Sequence, residues 1–333
     1  MDKFLWNAAD FDRFYNCSSY KIETVPIESR QKIFLGILML LFFFAAEALY
    51  VPCLVVMWRH LKENCYKIMF SIGLADFVAL WVCSFETGLF SIMGSVFCSY
   101  PILMYISGMI GNVCWAFETT MATILALNRC FVVIATNKAE EFVFGGWRIW
   151  AWIGGTLLYS CWFGFFNIPI VFNSQFFVWS YNPHLGYSDE NAEMYVNHWE
   201  TVHDVAILFA LVISYGFFMA YLLVKNLSFK LDIVTSANKN IFLQVLLIST
   251  VNIVTSLCYV LLLMGFVQLP QWAFCVATFM WMFCHAVPPI IYLTMNKTIR
   301  KECAKMIPSR ICAKKTSNLV NVQTKVVILA NKR

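Results

Sequence analysis

Charge is what this chain has least of. Only 13% of its 333 residues are charged, while 60% are hydrophobic and 17% aromatic, and the mean hydropathy is +0.68. Soluble domains devote about a quarter of their residues to charge, so a water-soluble fold of this size is a poor reading. Also missing is any polar or Pro/Gly-rich linker, so a length that would suit two soluble domains reads as one continuous membrane domain with short tails. No internal repeat is evident, which disfavours the repeat-built transporters.

Other absences narrow the function. The first 32 residues carry Asp2, Lys3, Asp10, Asp12, Arg13, Lys21, Glu23, Glu28, Arg30 and Lys32 with no apolar core. No cleavable signal peptide is therefore expected, and the first hydrophobic helix should act as its own insertion signal. There is no Cys-x-x-Cys pair and no His/Cys cluster at metal-ligand spacing, so no metal site is read. Of the 13 cysteines, Cys53, Cys83, Cys114, Cys130, Cys161, Cys258, Cys275 and Cys284 fall in or beside apolar runs, where cysteine acts as a small hydrophobe. Only Cys17 and Cys98 look placed for an oxidising compartment. His-Glu-x-x-His, Gly-x-Ser-x-Gly and Gly-rich phosphate loops are absent, and His285 has no evident nucleophile, so an enzyme is not expected. The seventh apolar run lacks a lysine for a retinal Schiff base. No cofactor and no nucleic-acid partner are expected.

What is present is apolar length. A helix needs about 20 apolar residues to cross the hydrocarbon core, and such runs recur at 33–58, 68–93, 100–134, 149–171, 202–224, 241–267 and 271–295. They predict an all-α integral membrane protein with a seven-transmembrane helix bundle at 33–295, embedded in a lipid bilayer. Alternate loops hold Arg59, Lys62 and Lys67, then Arg129, Lys138 and Arg148, then Lys225, Lys230 and Lys239, and finally a basic tail. The opposite loops, 94–100, 172–200 and 268–270, hold no lysine or arginine. The positive-inside rule then puts the amino-terminal tail, 1–32, outside and the tail at 308–333 in the cytosol. Asn16-Cys17-Ser18 is a glycosylation acceptor pattern on the outer side; Asn226-Leu227-Ser228 and Asn296-Lys297-Thr298 match too, but face the cytosol. The loop 172–200 is long, aromatic and acidic, with Trp179, Tyr181, Tyr187, Asp189, Glu190, Glu193 and Tyr195, and is read as a lid or a solvated connection.

Ionisable groups at membrane depth cost several kcal/mol and usually face the bundle interior with a partner. Asp76, Glu47, Glu86, Glu118 and Arg129 are the candidates. Glu118 precedes Arg129 by 11 residues, about three turns, so the two share a face. Outward along it lie Trp115, Gly111, Gly108 and Met104, the stripe expected to line the bundle. Asp76 sits at a depth that brings it near Glu118; such a pair holds a cation, shares a proton, serves a proton-coupled transporter, or only specifies packing. In the seventh run Pro288 and Pro289 are expected to kink the helix ahead of Tyr292. From 296 to 307, Ile299, Cys303, Met306 and Ile307 alternate with Arg300, Lys301 and Lys305, the pattern of an amphipathic helix on the inner leaflet. Cys303 and Cys312 beside it are palmitoylation candidates.

Several strings in order, Tyr15-Asn16-Cys17-Ser18, Leu49-Tyr50-Val51-Pro52-Cys53, Cys65-Tyr66-Lys67-Ile68-Met69, Val96-Phe97-Cys98, Leu127-Asn128-Arg129-Cys130, His285-Ala286-Val287-Pro288 and Ile291-Tyr292-Leu293 leading to Asn296-Lys297-Thr298-Ile299-Arg300, carry a resemblance over residues 15–301. The chain resembles a rhodopsin-like G-protein-coupled receptor and, more narrowly, a nematode class T serpentine chemoreceptor. The resemblance implies a plasma-membrane receptor, in sensory cilia for a chemosensory cell, that opens a cytoplasmic cleft for a heterotrimeric G protein when an external ligand binds. It casts Arg129 as the switch arginine, Asp76 as the second-helix aspartate, and Pro289 with Tyr292 as the end of the Asn-Pro-x-x-Tyr motif; Glu118, on the face it shares with Arg129, is read with them as part of the signalling switch. Asn128 and Cys130 replace the acid and tyrosine that usually flank the arginine. The loop 172–200 has no cysteine, so a Cys17–Cys98 bridge is expected instead, with Cys275 the rival partner. Ligand is expected near Met104, Gly108, Trp115, Tyr259 and Trp281. The alternative reading is an ion-coupled transporter or channel using the intramembrane carboxylates.

Overall fold

In the bilayer no water competes for backbone hydrogen bonds, so an apolar run satisfies its own peptide groups as a helix. The computed structural model describes residues 2–18, 21–134, 137–187, 192–229, 236–263 and 270–306. Among them six helices are long and apolar enough to cross a membrane, and a seventh span is a bent pair. In chain order the spans are Ile33–Arg59, Asn64–Met93, Pro101–Ile134, Arg148–Phe166, His198–Phe229, Ser236–Leu263, and Gln271–Ala286 with Pro288–Met295. The protein is a multi-pass helical membrane protein. Its outward faces carry Phe34, Leu41, Phe44, Leu158 and Ile213, each more than 60% exposed, a surface that suits lipid and would aggregate in water.

Local chemistry sets where the spans start and stop. The fourth apolar run, expected to reach 171, ends as a helix at Phe166. Pro169 disfavours helical backbone at Ile168, and Asn167 turns its side chain back to the Phe163 carbonyl at 2.9 Å. The released apolar residues form a hairpin instead, in which Val171–Asn173 pairs antiparallel with Val178–Ser180. Asn173 Oδ1 accepts from the backbone N–H groups of Gln175 and Phe176, the side-chain-built turn that asparagine favours. Phe177 takes a left-handed φ of 56°, held because Thr278 of the seventh span donates to its carbonyl at 2.8 Å. The fifth span starts at His198, earlier than its apolar run, because Asn197 Oδ1 caps the N–H of Glu200 as N-terminal asparagines do.

The hairpin defines one end of the bundle; Arg59, Lys67, Arg129 and Arg148 define the other, called here the basic end. At the hairpin end two short helices, Asp2–Trp6 and Ala8–Tyr15, lay Phe4, Phe11 and Tyr15 against Tyr105 of the third span. A disulfide joins Cys17 to Cys98. Tyr195 donates to the Phe14 carbonyl at 2.8 Å, His184 meets the Asn16 carbonyl at 3.1 Å, and Ser174 donates to the Arg30 carbonyl. The amino-terminal segment is thus strapped over the hairpin. At the basic end Asn296 caps the helix Lys297–Met306 through the N–H groups of Thr298 and Ile299. That helix buries Ile299 and Cys303 and exposes Arg300, Lys301 and Lys305. The thiol of Cys303 lies beside Cys53 of the first span, turned into the bundle rather than toward lipid. Cys312, Ile307, the tail 308–333, Lys230, Asp189, Glu190 and the sixth apolar run beyond 263 lie outside the described residues.

Two buried clusters fill the bundle, one toward each end. Between the first and second spans the backbones nearly touch: a Cβ on Gly36 would lie 2.6 Å from the Gly88 carbonyl oxygen. Because the obstacle is backbone, the helices would have to separate. Gly36→Ala is therefore expected to cost about 1–3 kcal/mol, the usual penalty of overpacking, read as a lower melting temperature of the detergent-solubilised protein.

Candidate functional site

The third span is the axis of the site. Gly108 has no side chain because the Ile170 carbonyl occupies the place of its Cβ, which seats the hairpin on the bundle. One turn deeper, a Cβ on Gly111 would lie 3.3 Å from the Trp281 ring, so the indole packs directly on the helix backbone. Beside these residues lies a partly open cleft with about 380 Å³ of empty space, some of it continuous with solvent. The third span contributes Gly111, Asn112 and Trp115, the hairpin and its flanks Ile170, Trp179 and Tyr181, and the fifth, sixth and seventh spans Glu200, Tyr259 and Trp281. Of the pocket residues expected from the sequence, Trp115, Tyr259 and Trp281 line the cavity. Met104 is buried in the aromatic cluster nearer the amino-terminal strap, and Gly108 is taken up by Ile170. The roof is fixed by hydrogen bonds from Trp179 Nε1 to Thr87 Oγ1 at 2.8 Å and from Asn112 to the Ile168 carbonyl at 3.1 Å. Burial and the neighbouring Glu200 carboxylate hold the Tyr181 phenol well above its usual range, so it stays a neutral donor. Burial lowers His184, in the segment after the hairpin, below the ordinary histidine range.

Beneath the cavity lies a polar knot. Pro289 has no N–H to give the carbonyl four residues before it, so the His285 carbonyl is left free. The Tyr50 hydroxyl of the first span lies 2.9 Å from it and 2.7 Å from Asp76 Oδ2, its single proton shared between the two acceptors. His285 Nδ1 lies 2.7 Å from Asp76 Oδ1, and both side chains are wholly buried. The knot therefore ties the first, second and seventh spans at the point where the seventh bends by 42°. Asp76 and Glu118 do not bond to each other. Glu118 accepts from Asn252 of the sixth span at 2.7 Å, so the two carboxylates tie different sets of helices. Tyr292 is fully buried, with its hydroxyl unpartnered.

Rings connect cavity and knot. The Trp179 ring meets Trp281 at 6.0 Å, and Trp281 and Trp115 each meet His285 at 6.4 Å. A second polar group lies on the fifth span. His203 bridges Thr119 and Tyr159 at 2.9 Å each, and Asp204 accepts from Trp115 Nε1 at 2.9 Å. The residues that sequence reasoning left without a role are Tyr50, Asn252, His203, Asp204 and Glu200. For the last three a signal existed, since positions 200, 203 and 204 share one helix face.

At the basic end Arg129 bonds to the side chain of its neighbour Asn128. Asn128 Nδ2 in turn donates to Glu140 at 3.1 Å, and Asn64 of the second span reaches the same oxygen at 3.4 Å. Glu140 belongs to the short helix Asn137–Phe144 between the third and fourth spans. An acid thus stands near the arginine although the adjacent position holds Asn128.

A family model described as serpentine type 7TM GPCR chemoreceptor Srt matches residues 1–316. A Caenorhabditis elegans protein, serpentine receptor class T-55, is 25% identical over 257 residues, which span 77% of this chain and 68% of that protein.

Removing one member of a buried bonded set leaves its partners unsatisfied. Asp76→Ala should cost roughly 3 kcal/mol or more, and Tyr50→Phe, which strips one hydroxyl, about 1–2 kcal/mol. Thermal melts of the solubilised variants, followed by size-exclusion recovery, check the order.

Proposed function

The chain belongs to the serpentine type 7TM GPCR chemoreceptor Srt family, and on that premise we propose how this chemosensory receptor is oriented, where it binds ligand and how it signals. The hairpin end faces outward and the basic end the cytosol. Support comes from the lysines and arginines gathered in the loops of the basic end and from Asn16, which is exposed on the hairpin side. An external ligand occupies the cavity, and a heterotrimeric G protein engages the basic end.

The observation that carries this reading is the contact of both Trp115 and Trp281, cavity walls, with His285 of the buried knot. A ligand that displaces either indole shifts the ring that holds Asp76. That shift repositions the bent seventh span against the first and second. Ligand stabilises whichever arrangement fits it better, and the helix positions follow the population. At the basic end the resting state is held by the Arg129–Asn128–Glu140 chain, which substitutes for a pairing between adjacent residues. Release of Arg129 opens the cleft for the G protein.

Two measurements check this. In cells expressing the receptor at matched surface level, Arg129→Ala should lower G-protein activation more than about tenfold, within the range of coupling energies between sites. Glu140→Gln removes a charged acceptor worth about 1.5 kcal/mol from the resting state and should raise ligand-independent signalling several-fold. Normal signalling by Arg129→Ala would remove it from the switch. Orientation is checked by glycosidase treatment: Asn16→Gln should abolish the mobility shift, and Asn296→Gln should leave it unchanged.

A further inference from the structure

The walls of the cavity are chemically lopsided. Glu200 lines it, is only 8% exposed, and has one carboxylate oxygen, Oε2, that accepts no hydrogen bond. The phenol of Tyr181 is its bonded neighbour. One turn along the same helix face, Asp204 is 1% exposed; its Oδ1 takes the Trp115 N–H and its Oδ2 takes nothing. Among the described residues no lysine or arginine pairs with either carboxylate. The hydroxyl of Tyr259 on the opposite wall is also buried without a partner. Burying an acid with open lone pairs is costly unless a cation or donor meets it.

The remaining surface says which cation. Trp115, Trp179, Trp281, Tyr181 and Tyr259 present indole and phenol rings around the carboxylate. Ring faces attract organic cations, and buried aromatic boxes are how quaternary and primary ammonium groups are bound. An inorganic ion is a poor match: calcium wants six to eight oxygens, and no group of three metal-capable side chains exists among the described residues. A neutral or anionic guest would leave Glu200 unanswered.

Building on the reading that this cavity is the ligand site, we infer that its ligand is a small organic cation, an amine or quaternary ammonium, whose charge is met by Glu200 with Asp204 behind it and whose body stacks on the indoles. The carboxyl groups on the fifth span, rather than Asp76 or Glu118, select the ligand.

The test uses the purified full-length receptor in detergent and reads binding directly, by calorimetry and by the shift of the melting temperature, with no G protein present. Phenethylamine is compared with phenethyl alcohol and phenylacetate, and choline with its neutral tert-butyl isostere; sodium and calcium chloride are run alone. At least one of the two organic cations should bind and raise the melting temperature, with its neutral counterpart weaker by about 30-fold or more, the loss expected when a buried charge loses its partner. Glu200→Gln should weaken that cation by a similar factor. Gly111→Val, which fills the cavity without touching charge, should abolish binding, and Glu47→Gln, a membrane carboxylate away from the cavity, should leave it intact. The inference is overturned if neither cation binds at millimolar concentration, if the alcohol or phenylacetate binds as well, if sodium or calcium alone gives the whole effect, or if folded Glu200→Gln binds the cation unchanged. Should Glu200→Gln fail to fold, the Gly111→Val and isostere comparisons decide. Cation binding without G-protein activation in cells would leave this inference standing and remove the signalling scheme; raised signalling by Glu140→Gln with no cation binding would do the reverse.

Discussion

Asp76 sits at membrane depth with Tyr50 and His285 against it at 2.7 Å, and the shape of the bundle follows from the need to keep those partners together. In hydrocarbon an unsatisfied polar group costs several kcal/mol, so a first span that carries Tyr50, a second that carries Asp76 and a seventh that carries His285 hold one another in register. The proline pair completes the arrangement. Without N–H groups, Pro288 and Pro289 free carbonyls of the preceding turn, and one of these, on His285, becomes the second acceptor for Tyr50. The bend in the seventh span is thus tied to a side chain from another helix, and whatever moves that side chain moves the bend.

What lies above the knot is rigid in a different way. The hairpin reaches the second, third and seventh spans through Trp179, Ile168 and Phe177, and the amino-terminal segment is strapped over it by tyrosine hydrogen bonds and the Cys17–Cys98 bridge. Trp281 lies at the junction of roof and knot, with Trp179 on one side and His285 on the other. The cavity is therefore walled by residues that also touch the polar core. Below the knot, Glu118 with Asn252 joins the third and sixth spans, and Glu140 gathers Asn128 and Asn64 at the basic end.

Much of this was legible in the sequence because the bilayer imposes a simple rule: apolar runs of sufficient length become helices, and seven runs gave seven spans. The amphipathic helix after the seventh span was legible for the same reason, from the alternation around Ile299 and Cys303. Legibility failed where a local signal overrode hydropathy. Ile168, Ile170 and Val171 are as apolar as the helix before them, yet Pro169 and the cap at Asn167 send them into a hairpin. It also failed for partnerships. Asp76 and Glu118 stand out as buried acids, but nothing in linear order says that one meets His285, 209 residues away, and the other Asn252, 134 residues away. Glu200 and Asp204 read as a polar approach to the fifth span because hydropathy cannot tell a solvated helix end from a carboxylate facing an aromatic cavity. Glu140 lies on a separate helix, and only folding brings it to Asn128.

The central claim is that the basic end opens when the Arg129–Asn128–Glu140 chain is released. Val132 near the basic end of the third span and Leu243 near that of the sixth are both exposed and accept genetically encoded spin labels without disturbing packing. Pulsed electron resonance of that pair, in nanodiscs with and without a G protein, measures the opening directly. The account predicts a second, longer distance population that grows when G protein is added and is already present in Glu140→Gln. A single distance distribution, unchanged by G protein and by Glu140→Gln, would contradict it.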